Sequence, residues 1–320
     1  MTLDLHQRRL LVTGATGFLG RNLLEALAKA GYTNVTALSS KDYNLLEQAD
    51  VRRMFAEHQP EIVVHLAALS AGIKANAERP ADFYYVNLLM QTMVMHEAWR
   101  AGVRKYLTCM GGCSYPAHAP SPIHEREMWN GFPQIESAGY SMAKKMNLVQ
   151  AWAYRVQHHF NAVVTVPGNM YGPFDNYNAH ESHVIPALIR KVYEALARSD
   201  KEIIAWGTGA PVRDFVYVKD VARALVVTLE QYDGDEFFNI SSGTQTTIKE
   251  LYDTVVAQMG FPGAVRWDTA RPDGQLFKGF DVARMQQLIG VACATTLRDG
   301  LAETIAWFKA NYAVPGAIRL

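Results

Sequence analysis

The stretch that most limits what this chain can fold into is residues 9–31, RLLVTGATGFLGRNLLEALAKAG. RLLVTGA is a short branched apolar run and reads as a strand. FLGRNLLEALAKAG, closed by Gly31, reads as a helix. Gly14, Gly17 and Gly20 fall at the junction. Glycine lets a backbone turn tightly and approach a bound group closely, and a helix N-terminus offers unpaired N–H groups and partial positive charge. A G-x-x-G-x-x-G loop between strand and helix therefore predicts a pyrophosphate cradle. A glycine-rich turn without a ligand is the plainer alternative. Thr16, Phe18 and Leu19, set among the glycines, are expected in the same cofactor site.

The rhythm continues along the first half. NVTALS, EIVVHLAA, KYLTCM and NAVVTVPGN read as strands; LLEQADVRRMFAEH, PADFYYVNLLMQTMVMHEAWRAG and SAGYSMAKKMNLVQAWAYRVQHHF read as helices. Strands joined through helices imply a parallel sheet covered on both faces, and right-handed crossovers make it an α/β doubly wound, Rossmann-like fold. After Asn169 the pattern loosens into the turn-rich YGPFDNYNAHES, then shorter strands and helices ending in LRDGLAETIAWFKANY. The expected division is a nucleotide-binding domain over residues 1–170 plus about 211–240, and a smaller, mostly C-terminal α/β substrate domain over about 171–210 plus 241–320. No linker separates them, so a shared cleft is expected.

Composition removes several classes of function. Lys+Arg and Asp+Glu both number 31, leaving no basic field for nucleic acid. No apolar stretch approaches the ~20 residues of a membrane span, and the N-terminus lacks a signal-peptide layout. Cys109, Cys113 and Cys293 form no disulfide framework, which suits a reducing cytoplasm. No Cys/His spacing suggests a metal.

The second strand ends ALSSKD. Ser39, Ser40 and Lys41 offer hydroxyls and a cation where a carboxylate would hold the ribose diol of NAD. A 2′-phosphate suits that corner better, so NADP(H) is favoured, with NAD(H) the alternative because Asp42 is close. A solvated surface lysine is the structural alternative for Lys41. Asn44 and Leu45 are expected beside the adenine. Farther along, YSMAK places Tyr140 and Lys144 one helical turn apart. A nearby ammonium, helped by the cofactor, is expected to lower the phenol pKa, fitting it to pass a proton while hydride moves.

GATGFLG, HLAA at 65–68 and YSMAK together resemble the extended short-chain dehydrogenase/reductases. SSKDYNLLE, PADFYYVN, CSYP, PGNMYGPFDNYN, SHVIPALIRK, WGTGAPVRDFVYV and RPDGQLFKGFD narrow the likeness to the GDP-L-fucose synthases, in order over nearly the whole chain. The resemblance implies C3/C5 epimerisation and C4 reduction of a GDP-4-keto-6-deoxyhexose, with NADPH as reductant. It implies Cys113 as the base, His183 as the proton donor on the opposite face, and Tyr140 with Lys144 as the reductase pair. Leu66, Ala67, Ala68, Pro167, Asn169, Met170 and His183 would complete the cofactor site. Asn169, His183, Val184, Leu188, Lys191, Trp206, Arg213 and Lys278 would hold the nucleotide sugar, cations and an aromatic suiting a diphosphate and a base. It further implies a homodimer joined through the long helices beginning near Ala81 and Ser137.

Structural alternatives accompany these roles. Cys113 can be a small core residue, His183 a helix-terminal histidine, and Trp206 interface packing; Cys109 and Cys293 read as buried filler. Rival functions are an epimerase alone, an enzyme of another 4-keto sugar such as a heptose or dideoxy sugar, and a non-catalytic NADP-binding module.

One position departs from the superfamily pattern. The serine or threonine expected four residues before the tyrosine of CSYP is Gly111 here. A water or backbone N–H could replace that hydroxyl, Ser114 could swing in, or the space could admit a different sugar.

Overall fold

The computed structural model describes residues 5–271, 273 and 275–320. Pro272 and Gly274 of the PDG motif lie outside the described residues. In chain order, the first half builds β1 (Leu10–Thr13), α1 (Phe18–Lys29), β2 (Val35–Leu38), α2 (Gln48–His58), β3 (Ile62–His65), α3 (Ile73–Glu78), α4 (Pro80–Arg100), β4 (Lys105–Cys109), α5 (Ala138–His158) and β5 (Ala162–Pro167). The second half adds β6 (Asn169–Tyr171), α6 (Val184–Arg198), β7 (Glu202–Trp206), β8 (Val212–Arg213), β9 (Phe215–Tyr217), α7 (Val218–Gln231), β10 (Phe238–Ile240), β11 (Thr246–Thr247), α8 (Ile248–Met259), β12 (Ala264–Asp268), β13 (Phe277–Lys278), α9 (Ala283–Ile289) and α10 (Leu297–Asn311).

The central sheet is six-stranded, with order β10-β5-β4-β3-β1-β2, and every pairing in it is parallel. β1, β3, β4 and β5 are buried along their whole length, as expected for strands covered on both faces. The α/β doubly wound reading is therefore correct. One face carries Val51, Met54 and Phe55 of α2, Val94 and Ala98 of α4, and Ala151 of α5. The other carries Leu23 and Leu27 of α1, Val221 and Leu225 of α7, and Met285 and Ile289 of α9. The sixth strand, β10, comes from far along the chain and seals the β5 edge. A third core gathers α6, α8 and α10 around Ile189, Leu251 and Phe308.

The chain changes winding direction between β1 and β3, which are neighbours in the sheet. In open α/β sheets, ligands sit outside the carboxyl ends of the strands at such a switch point. The loops leaving β1, β3, β4 and β5 all open there. Among the described residues, no helix is long and apolar enough to cross a membrane.

Candidate active site

The glycine loop is shaped by contacts that tolerate no side chain at two positions. Gly14 has φ +68°, and a Cβ there would lie 2.6 Å from the Ala67 nitrogen; one at Gly20 would lie 2.2 Å from the Gly14 carbonyl oxygen. Gly17 is the N-cap of α1 and its cap carries no side-chain hydrogen bond, which leaves the first-turn N–H groups open to an anion. Thr16 and Gly17 are exposed, and Phe18 and Leu19 are half-buried. Across the switch point, Thr13 Oγ1 shares a 2.8 Å hydrogen bond with Nδ1 of buried His65, and the Leu66 N–H donates to the Thr13 carbonyl. Burial drives the His65 pKa down to about 3, so this imidazole is a neutral brace. It sets Leu66, Ala67 and Ala68 against the glycine loop.

At the end of β2, the Asp42 carboxylate accepts hydrogen bonds from the Ser39 N–H at 2.7 Å and the Ser39 hydroxyl at 2.8 Å. These bonds hold its pKa below the ordinary carboxylate value. Asp42 is thus engaged in its own loop, while Ser40 and Lys41 stand exposed. That corner fits a 2′-phosphate, because its free polar groups are a hydroxyl and an ammonium. Asn44 Oδ1 accepts from the Leu46 N–H, and Leu45 packs on the first core.

After β4 the chain runs through Met110 and Gly111 into a 3₁₀ turn, Gly112–Ser114. Gly112 is required by packing: a Cβ would lie 2.3 Å from the ring of buried Phe280. Ser114 is fully buried. It therefore cannot swing toward the site, and the 3₁₀ turn sets the direction of Cys113. Tyr115 anchors the turn by donating to Asn239 Oδ1 at 2.6 Å. Cys113 is half-buried, whereas Cys109 and Cys293 are buried. Burial raises the latter two thiols to about 11 and about 12, leaving them inert.

Tyr140 and Lys144 lie in the first two turns of α5. Lys144 is only 4% exposed, and burial lowers its pKa to about 8, against opposing support from Cys109 and Cys113. The Tyr140 phenol does not fall as anticipated: burial raises its pKa, the Cys113 charge adds to the rise, and a hydrogen bond from Ser70 opposes it. The phenol is therefore protonated at neutral pH, the form a reduction needs to give its proton away. Cys113 also supports the charge on Lys278, whose pKa burial lowers. One thiol thus interacts with Tyr140, Lys144 and Lys278.

These facts give a pH prediction. The acid-base limb of kcat/KM reports the free enzyme. Because the Lys144 pKa is lowered, its ammonium is lost as pH rises through about 8. Reduction is expected to fall above that pH, and initial rates against pH check it; a flat profile to pH ~10, the region of an ordinary lysine, would contradict it.

His183 is the N-cap of α6, and its side chain makes no cap hydrogen bond. The residue is partly open to solvent, and burial of its imidazole lowers the pKa, making it a stronger acid once protonated. Arg213 and Lys278 face each other in register on β8 and β13. Burial lowers both pKa values. Among the described residues, neither they nor Lys191 has a carboxylate within ion-pair distance, so two adjacent cations await an anion. Lys191 donates to the Ile204 carbonyl. Trp206 is 67% exposed, with the Arg271 guanidinium 5.1 Å from its ring centre. Val184 is partly open, but Leu188 is buried in the third core. Asn169 opens β6, one residue after Pro167 ends β5, and precedes half-buried Met170; its amide donates to the Asp214 carbonyl.

Residues 10–241 match the NAD dependent epimerase/dehydratase family. The chain belongs to that family. Within it, a probable GDP-L-fucose synthase 1 of Oryza sativa subsp. japonica is 40% identical over 304 residues, 95% of this chain and 92% of the relative. A GDP-L-fucose synthetase of Naegleria fowleri, solved bound to NADP, superposes with a TM-score of 0.89 at 27% identity, covering 97% of this chain and 96% of that one. A GDP-6-OMe-4-keto-L-xylo-heptose reductase from C. jejuni superposes with a TM-score of 0.90 at 26% identity, covering 96% and 99%.

Two residues of this epimerase/dehydratase site escape a sequence reading. Asp214, 1% exposed, accepts from the Ser242 N–H and hydroxyl, the Gly243 N–H and the Phe280 N–H. It knots three distant segments beside Arg213, and its neighbours in VRDFVYV give little sign of this. The other is Ser70, which follows HLAAL and opposes the rise of the Tyr140 pKa.

Proposed function

We propose that this chain is an NADPH-dependent enzyme that epimerises a GDP-4-keto-6-deoxyhexose at C3 and C5 and reduces it at C4, giving GDP-L-fucose or a close relative. The observation that carries the reading is the place of Cys113 beside the reductase tyrosine: a Cβ at Gly111 would lie 3.2 Å from Cys113 Sγ and 3.5 Å from Tyr140 Cε1. A reductase alone needs no thiol there. The 4-ketone acidifies the C3 and C5 hydrogens; Cys113 takes each, and His183 returns a proton from the other face. Tyr140 then protonates the C4 oxygen, with Lys144 supplying positive charge. NADPH, when bound, supplies the hydride. The glycine loop, Ser39–Lys41, Asn44, Leu45 and the 66–68 segment would hold it, with Pro167, Asn169 and Met170 at the nicotinamide end. Arg213 and Lys278 would take the diphosphate, with Lys191, Val184 and Trp206 around the rest of the nucleotide sugar.

NADPH loss on addition of GDP-4-keto-6-deoxymannose, compared with a GDP-4-keto-heptose, tests the substrate. The deoxyhexose is expected to be consumed faster. The opposite order would favour the second reading, a 4-keto-heptose enzyme, for which the room left by Gly111 is the supporting observation.

The reading extends to assembly and location. Residues 1–170 and about 211–240 would act as the nucleotide domain, joined by the α9 segment that packs in its core; the remainder would act as the sugar domain. Three free cysteines suit the cytoplasm. α4 and α5 pack together and expose Tyr85 at 62%, Trp152 at 65% and Val156 at 63%. Large apolar patches on one face mark interaction sites, and a second copy would cover this one. Trp152→Glu is expected to turn a dimer into a monomer by light scattering. A wild-type chain of monomeric mass would end the proposal.

A further inference from the structure

Gly112 lies just beyond β4 and Gly168 just beyond β5, and one ring meets both. Neither glycine has the positive φ that would itself call for glycine. A Cβ at Gly112 would lie 2.3 Å from Cζ and 2.7 Å from Cε1 of Phe280. One at Gly168 would lie 2.4 Å from Ser241 Oγ and 3.2 Å from Phe280 Cδ2. The ring thus sits in a notch, its tip against Gly112 beside Cys113 and its side against Gly168 beside Asn169. It is 2% exposed, and the Tyr115 ring lies 6.1 Å away between centroids.

Phe280 stands two residues beyond Lys278, which pairs in register with Arg213. Its backbone is held from several sides. The Phe280 N–H donates to Asp214 Oδ2 at 3.3 Å. The Ile123 N–H donates to the Gly279 carbonyl at 2.8 Å, and the Asp281 N–H to the Ile123 carbonyl at 3.0 Å. Asn239 Nδ2 donates to the Asp281 carbonyl at 3.0 Å, while its Oδ1 accepts from Tyr115. The Gly112–Ser114 segment, by contrast, is one short 3₁₀ turn, with the Ser114 N–H on the Gly111 carbonyl at 2.9 Å. Such a turn has poorer hydrogen-bond geometry than an α-helix, so packing must fix it.

We propose that Phe280 is a positioning residue for the base: its ring sets the Gly112–Ser114 turn, and with it Cys113, against the Lys278–Arg213 cations. The inference rests on the epimerase half of the function proposed above. A bound sugar would hang from the diphosphate those cations hold, so the distance from cations to thiol decides whether C3 and C5 meet sulfur. Two residues of chain, at most about 7 Å, and one rigid ring fix that distance.

Phe280→Leu keeps the Cδ atoms that face Gly168 and deletes the Cε and Cζ atoms that press on Gly112. It is expected to lower C3/C5 exchange about ten- to a hundredfold, the scale of a ~1 Å misplacement. GDP affinity by calorimetry and NADPH oxidation should persist. Gly112→Ala, whose methyl meets the ring, should lower exchange likewise. Gly112→Ala/Phe280→Leu should regain exchange, because the methyl fills the space the ring vacates and residues in contact couple in this way. In the substrate-free protein, alkylation of Cys113 by iodoacetamide, read by peptide mass, should run severalfold faster in Phe280→Leu and return toward wild type in the double variant. Wild-type exchange in either single variant overturns the inference, as does a double variant no faster than Phe280→Leu. Equal loss of exchange, reduction and GDP binding also overturns it, because the ring would then only hold the fold. If the wild-type chain converts neither GDP sugar, the proposed function fails instead, and an alkylation rate unmoved in Phe280→Leu would then sink this inference separately.

Discussion

Tyr140→Phe is expected to stop C4 reduction and spare the exchange of the C3 and C5 hydrogens. The substitution removes one oxygen from a ring that packs edge-on to Phe83 with centroids 6.5 Å apart, so the packing survives. What is lost is the acid. Removing a positioned general acid costs roughly a hundred- to ten-thousandfold, and the buried Lys144 ammonium, one helical turn away, does not replace it. NADPH consumption should fall by that factor while solvent deuterium still enters the sugar. Loss of both activities together, in a folded variant, would mean that Tyr140 organises the sugar and not only the proton.

Cys113→Ala is expected to do the reverse. The thiol is half-buried in a turn locked by Gly112 against Phe280 and by Tyr115 against Asn239. Deleting the sulfur removes the base for C3 and C5, and exchange should fall by at least the hundredfold typical of a lost general base. Reduction should persist and yield the unepimerised alcohol. Removing the thiol takes away one of the influences that raise the Tyr140 pKa, so hydride transfer should not slow. Product configuration by NMR reads this directly. An epimerised product from Cys113→Ala would assign the base elsewhere.

The sheet and the cofactor loop were legible in the sequence because their causes are local. Branched runs make strands, and the glycine spacing allows the contacts that Gly14 and Gly20 make. Helix limits also came close: 80–102 was expected where α4 spans Pro80–Arg100. β10 was not legible as a sixth strand, since three residues carry no period and their partner β5 lies far away in sequence. The site shows the same split. YSMAK gave the spacing of Tyr140 and Lys144, but not the direction of the phenol pKa, which burial decides. Gly111 was visible as a gap, but its nearness to Cys113 Sγ and the Tyr140 ring needed the fold. The SSKD corner showed its hydroxyls and cation, whereas the turn that occupies Asp42 with Ser39 needed coordinates.

The central claim is that one cleft both epimerises and reduces. It is tested most directly by incubating the protein with GDP-4-keto-6-deoxymannose and NADPH in deuterium oxide and weighing the product. The account predicts a reduced sugar carrying carbon-bound deuterium at C3 and C5. A reduced sugar without deuterium, or deuterium without reduction, would contradict it.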